Sequence, residues 1–298
     1  MPLMPIGGSD LLAWRRARLA EGGRSVDLDW LLDLGGGLRW ADFQRLQLDP
    51  DAASVTLRCS LDTLEQWWRH HLEDHKPLQH LVGRCPWRDL ELVVSPDALI
   101  PRQETEQLVD LAVEVAAALG PSPPETRRIW ADLGTGSGAM AVALARLLEG
   151  WQGHAVDCSE KALALARLNL EQWASSANWC LHRGHWWQPL QAFWGELSVV
   201  VANPPYIPAE VVNGLEPVVR DHEPRLALDG GSDGLHCCRE ILAGAPDALA
   251  PGGWLLLEHH HDQSDAVLAL MADARLEEIQ AVKDLQGIRR FAIARRAG

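Results

Sequence analysis

Residues 129–138 read Ile-Trp-Ala-Asp-Leu-Gly-Thr-Gly-Ser-Gly, an apolar run that ends in three glycines at alternate positions. The run predicts a buried strand over Ile129–Leu133, and the apolar spacing after it predicts a helix over Ala139–Leu148. Glycine lets a backbone approach a ligand closely, and the start of a helix presents free N–H groups. The spacing is not the G-x-G-x-x-G of dinucleotide folds, so this loop alone is also compatible with an ordinary tight turn.

The alternation of strand and helix continues through the second half of the chain. Further strands are predicted at His154–Asp157, Asn178–His182, Leu197–Ala202, Trp254–Glu258, Leu276–Lys283 and Arg290–Ala294. Further helices are predicted at Glu104–Leu119, Ser159–Trp173, Leu235–Leu249 and Gln263–Asp273. This order predicts a doubly wound, Rossmann-like α/β sheet, with the closing strand near Gly287–Ala294 pairing antiparallel at an edge.

The first part of the chain has a different pattern, which predicts three regions. Residues 1–78 are expected to form a small helical domain, residues 79–101 a hairpin linker and residues 102–298 the α/β domain. Helices are predicted at Asp10–Glu21, Asp27–Leu34, Trp40–Leu48 and Ser60–His75, with Ser60 as an N-cap. Trp87–Val94 is predicted to be a hairpin strand, and Pro121–Pro124 a linker within the α/β domain.

Composition and net charge argue against several classes of function. The net charge is −14, from 27 basic and 41 acidic residues, which argues against a broad phosphate-binding surface and hence against direct nucleic-acid binding. No signal peptide or membrane span is predicted, and the six scattered cysteines fit the reduced thiols of a cytoplasmic protein. No metal site is predicted, because His71, His75 and His259–His261 lack companion ligands at suitable spacing.

Two further features follow predicted strands. Asp157 ends the strand after the glycine loop, where a carboxylate can accept both hydroxyls of a ribose or belong to the cap region of the next helix. Asn203-Pro204-Pro205-Tyr206 follows the strand Leu197–Ala202. It is either an ordinary turn or a stiff holder for a planar NH2 group, with the Asn203 side chain and the Pro204 carbonyl as acceptors and Tyr206 as a stacking ring.

The glycine loop, Asp157 and Asn203 all fall at the carboxyl ends of strands, where open α/β sheets bind ligands. With these motifs the chain resembles the class I S-adenosylmethionine-dependent methyltransferases. Within them it is similar to the HemK/PrmC-type glutamine N5-methyltransferases, which modify the Gly-Gly-Gln motif of peptide-chain release factors. The resemblance runs through most of residues 77–294. Its other matching stretches are Pro77–Gly83, Leu99–Glu106, Asn203–Ile207, Glu223–Leu228 and Leu256–His259.

The resemblance implies the cofactor, the protein substrate and the roles of single residues. S-adenosylmethionine, which becomes S-adenosylhomocysteine, is expected to contact Gly134, Thr135, Gly136, Ser137, Gly138, Asp157, Trp186 and Asn203. The substrate glutamine of a class I release factor is expected to be held by Asn203, Pro204, Pro205 and Tyr206, with Asn203, Pro204 and Tyr206 carrying the catalysis. Arg102 and Glu106 are expected to line the mouth of the site, and the helical domain to dock the release factor.

The chain departs from the family pattern in two places. His185 stands where members of the family usually have an acid just before Trp186. The family's Glu-His-Gly-x-x-Gln stretch is here Glu258–Gln263, a loop expected to lie away from the chemistry.

Two other functions fit the motifs. Asn-Pro-Pro-Tyr is shared with adenine N6-methyltransferases, but the acidic balance counts against a nucleic-acid substrate. A non-catalytic release-factor-binding protein is the second alternative, and the intact motifs count against it.

Overall fold

The computed structural model describes residues 5–120 and 127–298, so the linker predicted at 121–124 lies outside the described residues. The helices there are α1 (Gly8–Ala20), α2 (Ser25–Leu34), α3 (Trp40–Leu48), α4 (Leu61–Asp74), α5 (Leu78–Val82), α6 (Glu106–Ala118), α7 (Ala139–Leu147), α8 (Glu160–Trp173), α9 (Ala209–Val212), α10 (Pro217–Arg220), α11 (His236–Ala248) and α12 (Ser264–Asp273). Short 3-10 helices span Gln188–Phe193 and Arg225–Ala227.

The strands form one large sheet and two small ones. They are β1 (Ile6–Gly7), β2 (Ser54–Val55), β3 (Arg84–Trp87), β4 (Leu90–Val93), β5 (Ile129–Leu133), β6 (Gln152–Asp157), β7 (Trp179–Arg183), β8 (Leu197–Ala202), β9 (Leu249–Glu258), β10 (Glu277–Lys283) and β11 (Arg289–Arg295). The large sheet has the order β10-β11-β9-β8-β5-β6-β7, while β1 pairs with β2 and β3 with β4.

The large sheet confirms the predicted doubly wound fold. Strands β5 to β9 pair in parallel, and β11 pairs antiparallel with both β9 and β10. The predicted antiparallel pairing of Gly287–Ala294 is therefore confirmed, but its edge position is wrong, because β10 pairs with the outer side of β11 and is itself the edge strand. The two-residue strands β1 and β2 were not expected, because segments this short carry no readable alternation of polar and apolar residues.

The chain divides into two compact units. The first is Met1–Cys85 together with Pro217–His222, and the second is Pro86–Glu216 together with Glu223–Gly298. The boundary falls within β3.

In the first unit, buried leucines and Trp68 form the core, and Nε2–H of His222 donates to the Asp74 carbonyl oxygen at 2.6 Å. The predicted N-cap at Ser60 is confirmed, since its Oγ accepts the N–H of Thr63 at 3.2 Å.

In the second unit the sheet is covered by helices on both faces. Ile129, Ala131 and Leu133 of β5 pack with α11 and α12, while Trp130 packs with α6, α7 and α8. Side chains of a strand alternate between the two faces of a sheet, so both faces of β5 are buried. Burial on both faces explains why the strands of this sheet read as nearly continuous apolar runs.

Two histidines pair on neighbouring strands, away from the glycine loop. His154 of β6 is buried, and its Nδ1 lies 2.8 Å from Nε2 of His182 on β7. Phe193 packs on the His154 ring, with 4.1 Å between the ring centroids. Burial lowers the pKa of His154 to about 4, with His182 contributing, and burial also lowers the pKa of His182. The pair is therefore held neutral by its surroundings.

This histidine pair predicts a loss of stability in acid. The folded-state pKa of His154 lies below its ordinary value, so the unfolded chain binds more protons as the pH falls through 6.5 towards about 4. Each unit of pKa displacement corresponds to ~1.4 kcal/mol, so between pH ~8 and pH ~5 we expect this residue to lower the free energy of unfolding by about 2 kcal/mol. Urea denaturation at both pH values measures the change.

The matched variants are His154→Val and, as a control, the exposed His261→Val. Asp132 and Glu258 have pKa values raised to about 7, so their protonation in the folded state stabilises the protein as the pH falls, opposite to the effect of His154. The quantity to compare is therefore the difference between wild type and variant in how the free energy of unfolding depends on pH. We expect that difference for His154→Val and none for His261→Val. Parallel pH profiles for all three proteins would contradict the assignment.

Candidate active site

The parallel register brings three sequence motifs to one level of the sheet. Leu133, the last residue of β5, pairs with Val156 of β6 and with Ala202 of β8. The next residue along each strand is Gly134, Asp157 or Asn203. The sheet order reverses between β5 and β8, which is the switch point where open α/β sheets bind ligands.

The glycine loop is held by backbone bonds to β6. The N–H groups of Gly134 and Thr135 both donate to the Val156 carbonyl oxygen at 2.9 Å. Beneath the loop, the Thr135 hydroxyl donates to Oδ2 of Asp132 at 2.7 Å. Burial raises the pKa of Asp132 to about 7, against the effect of the Thr135 bond. The loop is therefore bonded both to β6 and, through Asp132, to the end of β5.

Asp157 ties the loop to the start of α8. Its Oδ2 accepts the N–H of Gly136 at 2.9 Å, and its Oδ1 accepts the N–H of Ser159 at 2.8 Å. Burial raises the pKa of Asp157, while these two bonds act in the opposite direction. A carboxylate has about four acceptor positions, so Asp157 keeps capacity for hydroxyl groups of a ligand.

Trp186 forms a second wall beside the glycine loop. A Cβ atom added to Gly134 would lie 3.2 Å from the Trp186 ring, so glycine permits this close contact. Trp186 has a φ of 45°, a conformation that costs a residue with a side chain about 1–3 kcal/mol. Its Nε1–H donates to Oε2 of Glu240 on α11 at 2.9 Å. The hydrogen bond to Glu240 therefore fixes the Trp186 ring, although the Trp186 backbone is strained.

Asn203 stands at the end of a buried chain of hydrogen bonds. Its Nδ2 donates to Oγ1 of Thr105 at 3.1 Å, and Oγ1 of Thr105 donates to Oε2 of Glu258 at 2.7 Å. Burial raises the pKa of Glu258 to about 7, although the Thr105 bond and nearby arginines oppose that rise. No role was predicted for Thr105 or Glu258 from the sequence. The available signal was a carboxylate at the end of the apolar run Leu255–Leu257.

The loop that follows Glu258 also reaches the site, which corrects the expectation that it lies away from the chemistry. Nε2 of Gln263 donates to the Tyr206 carbonyl oxygen at 2.9 Å. The rings of Tyr206 and His260 have centroids 6.2 Å apart. The loop therefore supports the turn Asn203–Tyr206 from its far side.

The two residues expected at the mouth of the site have different surroundings. Arg102 borders the cavity and forms an ion pair with the buried Glu223, which also accepts the N–H of Ile100 at 3.1 Å. Glu106 lies elsewhere, and its Oε1 accepts the N–H of Arg88 in the turn between β3 and β4 at 2.9 Å. The hairpin turn thus engages the carboxylate that was expected at the mouth.

An open cavity lies beside the glycine loop, Asp157, Trp186 and Asn203, and its volume is about 1080 Å³ when the solvent space at its mouth is included. Of the predicted site residues, its lining includes Arg102, Gly134, Thr135, Gly136, Ser137, Asp157, Trp186, Asn203 and Pro205. Thr105 and His185 also line it. The predicted residues Glu106, Gly138, Pro204 and Tyr206 lie outside the lining. Among the described residues, no group of three or more His, Cys, Asp or Glu side chains is placed to hold a metal ion.

Comparison with known proteins gives the chain clear relatives. Residues 109–221 match the family model of the methyltransferase small domain. A release factor glutamine methyltransferase from Prochlorococcus marinus is 54% identical over 288 residues, covering 96% of each chain. Another, from Synechocystis sp., is 38% identical over 298 residues, covering 97% of each. The hMettl16 catalytic domain in complex with MAT2A 3′UTR hairpin 1 aligns over 91% of each chain with a TM-score of 0.53 and 14% identity, a likeness in fold alone.

The glycine loop predicts a difference between two substitutions that share the same backbone strain. Gly136 and Gly138 both have positive φ, so alanine costs about 1–2 kcal/mol at either position. A Cβ on Gly138 would also meet Ala166 of α8 at 3.0 Å, whereas one on Gly136 meets only Ala98 at 3.9 Å. We expect Gly138→Ala to lower the free energy of unfolding by about 1–3 kcal/mol more than Gly136→Ala. Equal losses in urea denaturation would contradict the packing role of Gly138.

Proposed function

The chain belongs to the family of release factor glutamine methyltransferases, and we propose that it methylates the side-chain amide nitrogen (N5) of the glutamine in the Gly-Gly-Gln motif of class I peptide-chain release factors. The methyl donor in this proposal is S-adenosylmethionine. The observation that carries the proposal is the Asn203 amide, which borders the same cavity as the glycine loop and is held in place by Thr105.

The residues around the glycine loop fit S-adenosylmethionine, which supplies an electrophilic methyl group when bound. Gly134 and Gly136 leave room that side chains would fill, and the Asp157 carboxylate keeps acceptor capacity for ribose hydroxyls. Trp186, His185 and Met140 supply further walls. We assign Gly134, Thr135, Gly136, Ser137, Asp157 and Trp186 to cofactor binding, with Gly138 shaping the loop through its packing on α8.

Asn203 and Pro204 are assigned to the substrate amide. An amide nitrogen is a poor nucleophile because its lone pair is delocalised into the carbonyl, so orientation matters more than a strong base. Oδ1 of Asn203 and the Pro204 carbonyl oxygen would accept the two N–H bonds of the glutamine and favour positive charge on its nitrogen. Pro205 and the Tyr206 ring would complete the pocket for the side chain.

We nominate no general base for this reaction. Burial raises the pKa of Tyr206 far above its ordinary value, so its hydroxyl stays protonated. The amide proton becomes acidic once the nitrogen has reacted, and it can then leave to solvent. Tyr206 therefore acts through its ring and its backbone, which Gln263 holds.

The release factor itself is assigned to two regions of this chain. We propose that the helical first unit docks it, and that Arg102 lies at the rim where the glutamine enters.

A membrane-crossing helix is not found in the described part of the chain, where none of the helices combines the required length and hydrophobicity. Because release factors act in translation termination, we propose that the reaction takes place in the cytoplasm.

The proposed reaction predicts the position of the methyl group. After incubation with labelled S-adenosylmethionine and a class I release factor, we expect one methyl group on the glutamine of the Gly-Gly-Gln loop. Peptide mapping by mass spectrometry locates it, and DNA in a parallel reaction should remain unlabelled. Label on another residue, on DNA or on neither polymer would refute the proposed function.

Asn203→Ala removes an acceptor from the reacting nitrogen and is expected to lower kcat by about 10²–10³, as the loss of one preorganised polar group does. Tyr206→Phe keeps the ring and should lose less activity than Tyr206→Ala. The exposed Asn178→Ala serves as the matched control and should leave turnover unchanged. Near-normal turnover of Asn203→Ala would show that Asn203 does not hold the substrate amide.

A further inference from the structure

Thr105 occupies a position whose usual hydrogen bond it does not make. It is the N-cap of α6, where a threonine side chain commonly accepts a backbone N–H of the first turn. Within the described residues no such cap bond forms, and the Thr105 hydroxyl instead joins Asn203 to Glu258. Thr105 is 6% exposed and Glu258 is 1% exposed, so water does not substitute freely for these bonds. The Thr105 hydroxyl therefore links Asn203 to Glu258 rather than capping α6.

The donors and acceptors in this chain of hydrogen bonds determine the orientation of the Asn203 side-chain amide. A hydroxyl has one proton to donate, and a carboxylate has none. When the Thr105 hydroxyl donates its proton in a hydrogen bond to the Glu258 carboxylate, the Thr105 oxygen can only accept from Asn203. The Asn203 amide must then turn its NH2 group towards Thr105. The carbonyl oxygen of Asn203 is then the end that remains for a ligand in the cavity.

We propose that Thr105 and the Glu258 carboxylate are positioning residues that select which end of the Asn203 amide faces the substrate. This inference rests on the proposed function, because it assigns the selected end, Oδ1, to the glutamine N–H. If Glu258 carried a proton, it would donate to Thr105, and the Thr105 proton would be free for Oδ1 of Asn203. The Asn203 amide would then present NH2 to the NH2 group of the glutamine, donor against donor.

The proposal gives the reaction a dependence on pH. Burial raises the pKa of Glu258 to about 7, and the negative charge of Glu104 adds to that rise. The Thr105 hydrogen bond and the positive charges of Arg290 and Arg102 oppose it. Tyr206 also faces this carboxylate and stays neutral. Because only the carboxylate form selects Oδ1, kcat should fall as the pH drops below about 7.

The decisive experiment measures kcat and KM for the release factor across the pH range in matched variants. Thr105→Val keeps the shape of the side chain and removes the hydroxyl, Thr105→Ser keeps the hydroxyl, and Glu258→Gln removes the titration. The exposed Ser176→Ala and Glu277→Gln, both in the second unit, are the controls. Calorimetric binding of S-adenosylhomocysteine checks that each variant retains the cofactor site.

We expect Thr105→Val to lower kcat roughly 10- to 100-fold with little change in KM, as the loss of one buried hydrogen-bonding group does. Thr105→Ser should recover most of that loss, and the decline in acid should disappear in Thr105→Val and Glu258→Gln. Both controls should keep the wild-type profile. A Thr105→Val enzyme with wild-type kcat, or a decline in acid that persists in Glu258→Gln, would overturn the proposal.

A second readout needs no substrate and separates this inference from the proposed function. A wild type that leaves release factor unmethylated refutes the function, yet the side-chain NH2 resonances of Asn203 still report the hydrogen-bond chain. We expect them to shift between pH ~8 and pH ~6 in the wild type and to stay constant in Glu258→Gln. Resonances that are constant in both proteins would overturn the proposal.

Discussion

The parallel pairing of β5 with both β6 and β8 is the constraint on which the site depends. Leu133 is level with Val156 on one side and with Ala202 on the other, so the three following residues meet at one edge. Residues that are distant in sequence become neighbours without any long loop to position them. A shift of register on either side would separate the glycine loop from Asp157 or from Asn203. The helices on both faces make such a shift costly, because both faces of β5 are buried.

Buried carboxylates hold the rest of the site in place. Asp132 fixes Thr135 beneath the glycine loop, Glu223 binds Arg102 and the N–H of Ile100, and Glu258 receives the Thr105 hydroxyl. A buried carboxylate is costly unless its oxygens are hydrogen-bonded, so each one strongly favours the geometry that satisfies it. These bonds orient Thr135, Arg102 and Thr105, and orientation is what the proposed reaction relies on.

The sequence predicted the elements well and the contacts between them less well. Strands buried on both faces leave continuous apolar runs, and Ser60 marks the start of α4, so these features were readable. The hydrogen-bond chain was not, because Thr105 and Glu258 lie 153 residues apart and neither residue alone indicates its partner. Glu106 was expected at the mouth, but its carboxylate bonds the turn of the hairpin, a contact that depends on the tertiary position of that turn.

We propose that Oδ1 of Asn203 accepts an N–H of the substrate glutamine. The most direct measurement is a neutron or atomic-resolution crystal structure of the protein with S-adenosylhomocysteine and a Gly-Gly-Gln peptide. We expect the glutamine amide nitrogen about 2.9 Å from Oδ1 of Asn203, with Nδ2 of Asn203 donating to Thr105. A glutamine amide bound elsewhere in the cavity, or Nδ2 of Asn203 facing it, would overturn this assignment.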